Sequence, residues 1–143
     1  MNAQLVAALA AEEAAIYAYG VLGVKLGGDG DVTQARAAEA VHRNRRDVLV
    51  SKIAAVQASA AAAPAGYQLP FPVNDRASAV KLAIQVEDGV AQAWRAVLPV
   101  TEGGDRSTAL SALTDAAVRA ARWRRRGSVT PTTLAWPGRP TGG

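Results

Sequence analysis

Apolar residues recur every three or four positions along four stretches of the chain, and glycine- or proline-bearing segments separate them. That is the period of amphipathic helices packed face to face. In the first stretch Leu5, Leu9, Glu12, Ile16, Tyr19 and Gly23 share a stripe. It predicts a helix from about Asn2 to Leu26, stopped by Gly27-Gly28-Asp29-Gly30. A second helix is predicted from Asp31, where Asp31-Val32-Thr33-Gln34 reads as a variant capping box, to Ala63 ahead of Pro64. Its stripe is Ala35, Glu39, His42, Arg46, Leu49, Ile53 and Val56. The third opens at Asn74 or Asp75 and ends by Pro99, with Val80, Ala83, Glu87, Val90, Trp94 and Val97 in line. The fourth runs from about Asp105 to Arg126 on Leu110, Leu113, Ala117 and Ala120. Between the second and third, residues 65–75 carry Leu69-Pro70-Phe71-Pro72-Val73, an extended run that cannot be helical and suits a long crossover.

No alternating Val/Ile/Tyr run competes with this reading, so the expectation is all-α: an antiparallel four-helix bundle over residues 1–126. Residues 127–143, rich in proline and glycine, are expected to form an extended or disordered tail pinned by Leu134 or Trp136. At 143 residues the chain is one domain with room for a core. Half of it is apolar but only 5% aromatic, and alanine dominates, so helices are expected to approach closely. With no cysteine, disulfides and thiolate metal sites are excluded. The N-terminus lacks a basic leader, and Glu12 and Glu13 interrupt its apolar run. The expectation is therefore a cytoplasmic protein without a membrane span.

Three positions break the apolar stripes with charge. Glu12 and Glu87 are lone carboxylates on otherwise greasy seams, and Glu39 lies three residues before His42. A carboxylate and an imidazole at that spacing share a helix face. Two readings stand. In one, Glu12, Glu39 and His42 hold a single Fe, Mn or Zn ion with Glu87 beside it. In the other, which we favour, no cofactor is bound and a buried network holds the carboxylates, with Arg46 as their cation. Arg43 is expected to pair with Asp47.

The net charge is +4, and arginines crowd positions 119–126 around Trp123. Such a cluster admits contact with RNA or a ribosome, with Trp123 and Trp136 for stacking. The plainer reading is a solvated helix end or oligomer rim. Trp94 and Trp123 are expected to plug the core.

Taken together, Ala10-Ala11-Glu12, Tyr17-Ala18-Tyr19-Gly20, His42-Arg43-Asn44-Arg45-Arg46-Asp47, the Leu69–Val73 run, Glu87 and Trp123-Arg124 resemble the actinobacterial ferritin-like domain of unknown function. The resemblance covers nearly the whole chain. It implies a ferritin-like bundle with its long crossover between the second and third helices, and it carries no established activity. Against the ferritin pattern, Glu12 looks like the first-helix glutamate, Glu39 and His42 like the second-helix pair, and Glu87 like the third. The fourth helix departs, offering only Asp115 followed by Val118. The resemblance thus implies a diiron site that has lost half its ligands. The favoured function is a non-catalytic structural or binding module, expected to form a homodimer. A single-metal protein with oxidase or metal-handling chemistry is the alternative, and RNA association a third.

Overall fold

The computed structural model describes residues 1–140 and contains four long helices: α1 (Asn2–Leu22), α2 (Asp29–Ala55), α3 (Arg76–Val97) and α4 (Gly103–Arg126). Short 3-10 turns extend α1 over Gly23–Lys25 and α3 over Leu98–Val100. Among the described residues there is no strand.

Contacts between helix ends fix the directions. Arg76, opening α3, and Arg126, closing α4, both bond Asp31 near the start of α2. Hence α2 and α3 begin at one end of the bundle, and α4 finishes there. The Trp123 indole of α4 meets Tyr19 late in α1, so α1 finishes at that end too. The chain between α2 and α3 must therefore travel the length of the bundle. It does so as an irregular segment over residues 56–75, with Leu69, Phe71 and Val73 packed onto the core.

α2 ends eight residues earlier than its alanine-rich continuation predicts. Gln57 turns to a positive φ of 55°, its N–H bonds Ala54 O, and the Ala58 N–H bonds Ile53 O. These two bonds satisfy the last carbonyls of the helix as a Schellman stop does. Alanine propensity alone does not extend a helix past the point where it has a surface to bury. The opening of α2 also differs. Gly28 is its N-cap, and Asp31 is buried inside the first turn, receiving Arg76 and Arg126 rather than capping the helix. α3 starts as predicted, with Asp75 and Ser78 forming a reciprocal capping box.

The core lies in two apolar halves. Leu5, Leu9, Leu49, Ile53, Trp94 and Val97 belong to one. Leu22, Leu26, Val80, Leu82 and Trp123 belong to the other. Alanines at 8, 15, 38, 83, 112 and 116 are almost fully buried where the helices meet. On α4 the buried stripe is Ala109, Ala112, Leu113, Ala116, Ala120 and Trp123, and the predicted core residue Leu110 is 54% exposed. With so many alanines, the eye follows the leucines, while the face that packs closest is the one with the smallest side chains. α1 with its extension is long and apolar enough to cross a membrane, but here its apolar face packs against α2 and α3.

After α4 the chain turns at Ser128 (φ 54°) and runs back along α3 and α4 without regular structure. It is tied by the Pro137 carbonyl, which accepts from Arg95, and by the buried Gly138. Trp136, one of the expected anchors, is 64% exposed. Residues 141–143 of the expected tail lie outside the described residues.

Candidate functional site

Between the two apolar halves lies one polar layer, contributed by all four helices. Glu12 of α1, His42 of α2 and Glu87 of α3 are each completely buried. They are held there because their helices place them on stripes made mainly of alanine and other apolar residues. His42 sits between the two carboxylates: Nδ1 is 2.5 Å from Glu12 Oε2, and Nε2 is 2.8 Å from Glu87 Oε1. Trp94 Nε1 donates to the other Glu12 oxygen at 2.6 Å. The Tyr19 hydroxyl donates to Glu87 Oε1 at 2.7 Å and accepts from Trp123 Nε1 at 2.9 Å. Arg119 of α4 reaches the remaining Glu87 oxygen at 3.4 Å and grips Asp115 at 2.7 Å, and Asp115 in turn receives Arg45 of α2 at 3.3 Å. Charges alternate along the whole line: Glu12, His42, Glu87, Arg119, Asp115, Arg45.

The electrostatics follow from that alternation. Burial alone would lower the His42 pKa, but hydrogen bonds and charges from Glu12 and Glu87 outweigh it and raise it to about 9. Both ring nitrogens then act as donors, so His42 is an imidazolium clamped between carboxylates. Its ring also lies over the Tyr19 ring, 5.6 Å between centroids and 24° from parallel. Burial, then the Glu87 charge, hold the Tyr19 phenol well above its usual range. Burial also disfavours a charged Asp115, yet Arg119 and Arg45 prevail and lower its pKa.

Of the four residues singled out in the sequence, three converge and one does not. Glu39 is only half-buried, and its carboxylate pairs with Arg43 at 2.7 Å, one turn along α2. The buried stripe passes through Ala38 instead, and one residue on an α-helix is a rotation of roughly 100°. The cations also differ from expectation. Arg46 bonds its neighbour Asp47, Arg43 takes Glu39 rather than Asp47, and the guanidinium that enters the core is Arg119. Trp94 and Trp123 do plug the core, but each also donates its indole N–H to the polar layer. Trp123, 2% exposed, is therefore unavailable for stacking on a base. Tyr17 packs on Tyr67 of the crossover, 5.1 Å between ring centroids. The one local signal for Arg119 is its i, i+4 pairing with Asp115, each of the two preceding a buried alanine, Ala120 and Ala116.

A model of a domain of unknown function, DUF4439, matches residues 4–141. Among solved structures the chain is similar to a conserved hypothetical protein from Mycobacterium tuberculosis. The two are 43% identical over 87% of this chain and 95% of that one, with a TM-score of 0.82. No curated protein matches the chain.

Proposed function

The chain belongs to the DUF4439 family, and on that premise we propose that it is a ferritin-like module in which the protein's own cations take the places of metal ions. His42 lies between Glu12 and Glu87, and Arg119 lies between Glu87 and Asp115. Glu87 thus bridges two cations, as a shared carboxylate bridges two metals in a dinuclear centre. The running directions of the helices and the long α2–α3 crossover support the ferritin-like assignment.

As they stand, the residues do not fit a metal ion. A metal needs a bare imidazole nitrogen and carboxylate lone pairs converging on one point. Here both His42 nitrogens face carboxylates, and all four oxygens of Glu12 and Glu87 already accept from Trp94, His42, Tyr19 or Arg119. Among the described residues, no three His, Asp or Glu side chains are disposed to hold one ion. The single observation that carries the reading is the engagement of both His42 nitrogens. It makes the layer a register device: four helices must be in phase for each buried charge to find its partner. The function is then that of a non-catalytic structural or binding module.

Titration with Fe(II) under anaerobic conditions, and with Mn(II) and Zn(II), tests this directly. The expected result is no stoichiometric uptake and no change in Tm for the wild-type chain. Uptake of one ion per chain that His42→Ala abolishes overturns the reading in favour of a single-metal protein.

A further inference from the structure

The segment after α4 is tied to α3 at both ends and stands off it in between. At the near end, a Cβ on Gly127 would lie 2.7 Å from Val80 Cγ1. At the far end, Gly138 has φ +75°, and a Cβ there would lie 2.6 Å from the Ala91 carbonyl oxygen. Arg95 adds a bond of 3.0 Å to the Pro137 carbonyl. Between these anchors a cleft of about 1070 Å³ separates the segment from α3. Val80, Ile84 and Gly89 form its floor, and Val129 and Leu134 its opposite wall. It follows α3 from Arg76 to Gln92, about 24 Å at the helical rise per residue.

Charge is distributed unevenly along it. Arg76 is bonded to Asp31 and the Arg126 carbonyl, and Lys81 stands 4.4 Å over the Phe71 ring. Those two lend aliphatic stems to the cleft while their charges are engaged elsewhere. Asp88 is neutralised by Arg124. Arg139 enters no ion pair among the described residues and lies at the Gln92 end, next to the Gly138 anchor. Gly89 is the other oddity. A mid-helix glycine is destabilising relative to alanine, and a Cβ here would meet nothing within 4 Å. No neighbour in the fold requires it.

We propose that this cleft binds a long-chain fatty carboxylate, its head at Arg139 and Gln92 and its acyl chain laid over Gly89, Ile84 and Val80. A long, mainly apolar cleft suits an unbranched chain, and a single lining cation with neither an ion pair nor a ring partner among the described residues matches a monoanionic head rather than a polyphosphate. The site lies outside the buried carboxylate–imidazole layer and does not depend on the metal-free reading of it.

The test is titration of the full chain, stripped of lipid, with the fluorescent fatty acid cis-parinaric acid, using palmitate, butyrate and hexadecanol as competitors. The expected result is one saturable site per chain from which palmitate displaces the probe and butyrate does not. Gly89→Leu, which places a side chain in open space, weakens binding by about tenfold or more while the thermal unfolding of the protein is preserved. Arg139→Glu weakens palmitate by about tenfold and leaves hexadecanol unchanged. Absence of saturable binding, or binding that neither variant alters, overturns the proposal. So does a change from dimer to monomer in Gly89→Leu by light scattering without any fatty-acid binding, since that face is then an interface between copies.

Discussion

Two sets of carboxylate–cation pairs in this bundle sit in opposite surroundings. Glu12, His42 and Glu87 are sealed between two apolar halves. Along the rim where α2 faces α4, the helix backbones keep apart for almost all their length. There Asp31–Arg126, Arg45–Asp115 and Lys52–Asp105 span the gap. The rim pairs are largely half-exposed; Lys52 and Asp105 retain 30% and 47% of their side-chain accessibility. Water competes for the rim pairs and cannot reach the central ones. Burial therefore sets much of what each pair is worth. Arg119 joins the two regions, with one hand on Glu87 and the other on Asp115.

The comparison breaks most sharply at Glu87. Glu87→Ala leaves His42 Nε2 buried without an acceptor and takes from Arg119 and the Tyr19 hydroxyl the carboxylate they share. The expected loss is about 3–5 kcal/mol in urea unfolding. A loss no larger than that of a rim variant means the central layer is hydrated and the contrast is false.

A pH series sharpens the same point without mutation. The His42 pKa rises from 6.5 in the unfolded chain to about 9 in the folded one. The folded state therefore binds the proton more tightly. Its contribution is fully present below pH 6.5, declines as pH rises, and is lost above 9. The total is on the order of 3 kcal/mol. Chemical denaturation at pH 6 and pH 9 reads this fall directly, and a His42→Gln variant is expected to flatten it.

The smallest effect belongs to the rim. Lys52→Ala removes one half-exposed pair and is expected to cost less than about 1 kcal/mol, shrinking further in high salt. A larger, salt-insensitive loss points to packing of the lysine stem across the α2–α4 gap rather than to its charge.

How far the site could be read in advance varied from residue to residue. Glu12 and Glu87 were legible because a lone carboxylate on an apolar stripe must find a partner. His42 was legible because it shares its face with Leu49 and Ile53. Glu39 misled because the alanine-rich face of α2 gives little contrast between positions 38 and 39, and one residue of phase moves a side chain from core to surface. Arg119 was hidden among the arginines of the last turns of α4. Beyond its i, i+4 spacing from Asp115, little in the local sequence separates the two that turn inward, Arg119 and Arg124, from Arg122 and Arg125, which face solvent. The indole donors were hidden for another reason: burial of Trp94 and Trp123 is predictable, but the direction of an N–H within the core is not.

Taken alone, the order of residues was enough to settle four helices, the long crossover, a cap at Asn74 or Asp75 and the intrusion of charge into a greasy core. Those are properties of period, propensity and punctuation, which act over a few residues. Which cation faces which carboxylate, where α2 stops, and why Gly127 and Gly138 carry no side chain were decided only when the helices came together. The bonds that tie Glu12, His42, Glu87, Tyr19 and the two indoles together join positions 30 to 104 apart in the chain, and such distances exist only in the packed molecule.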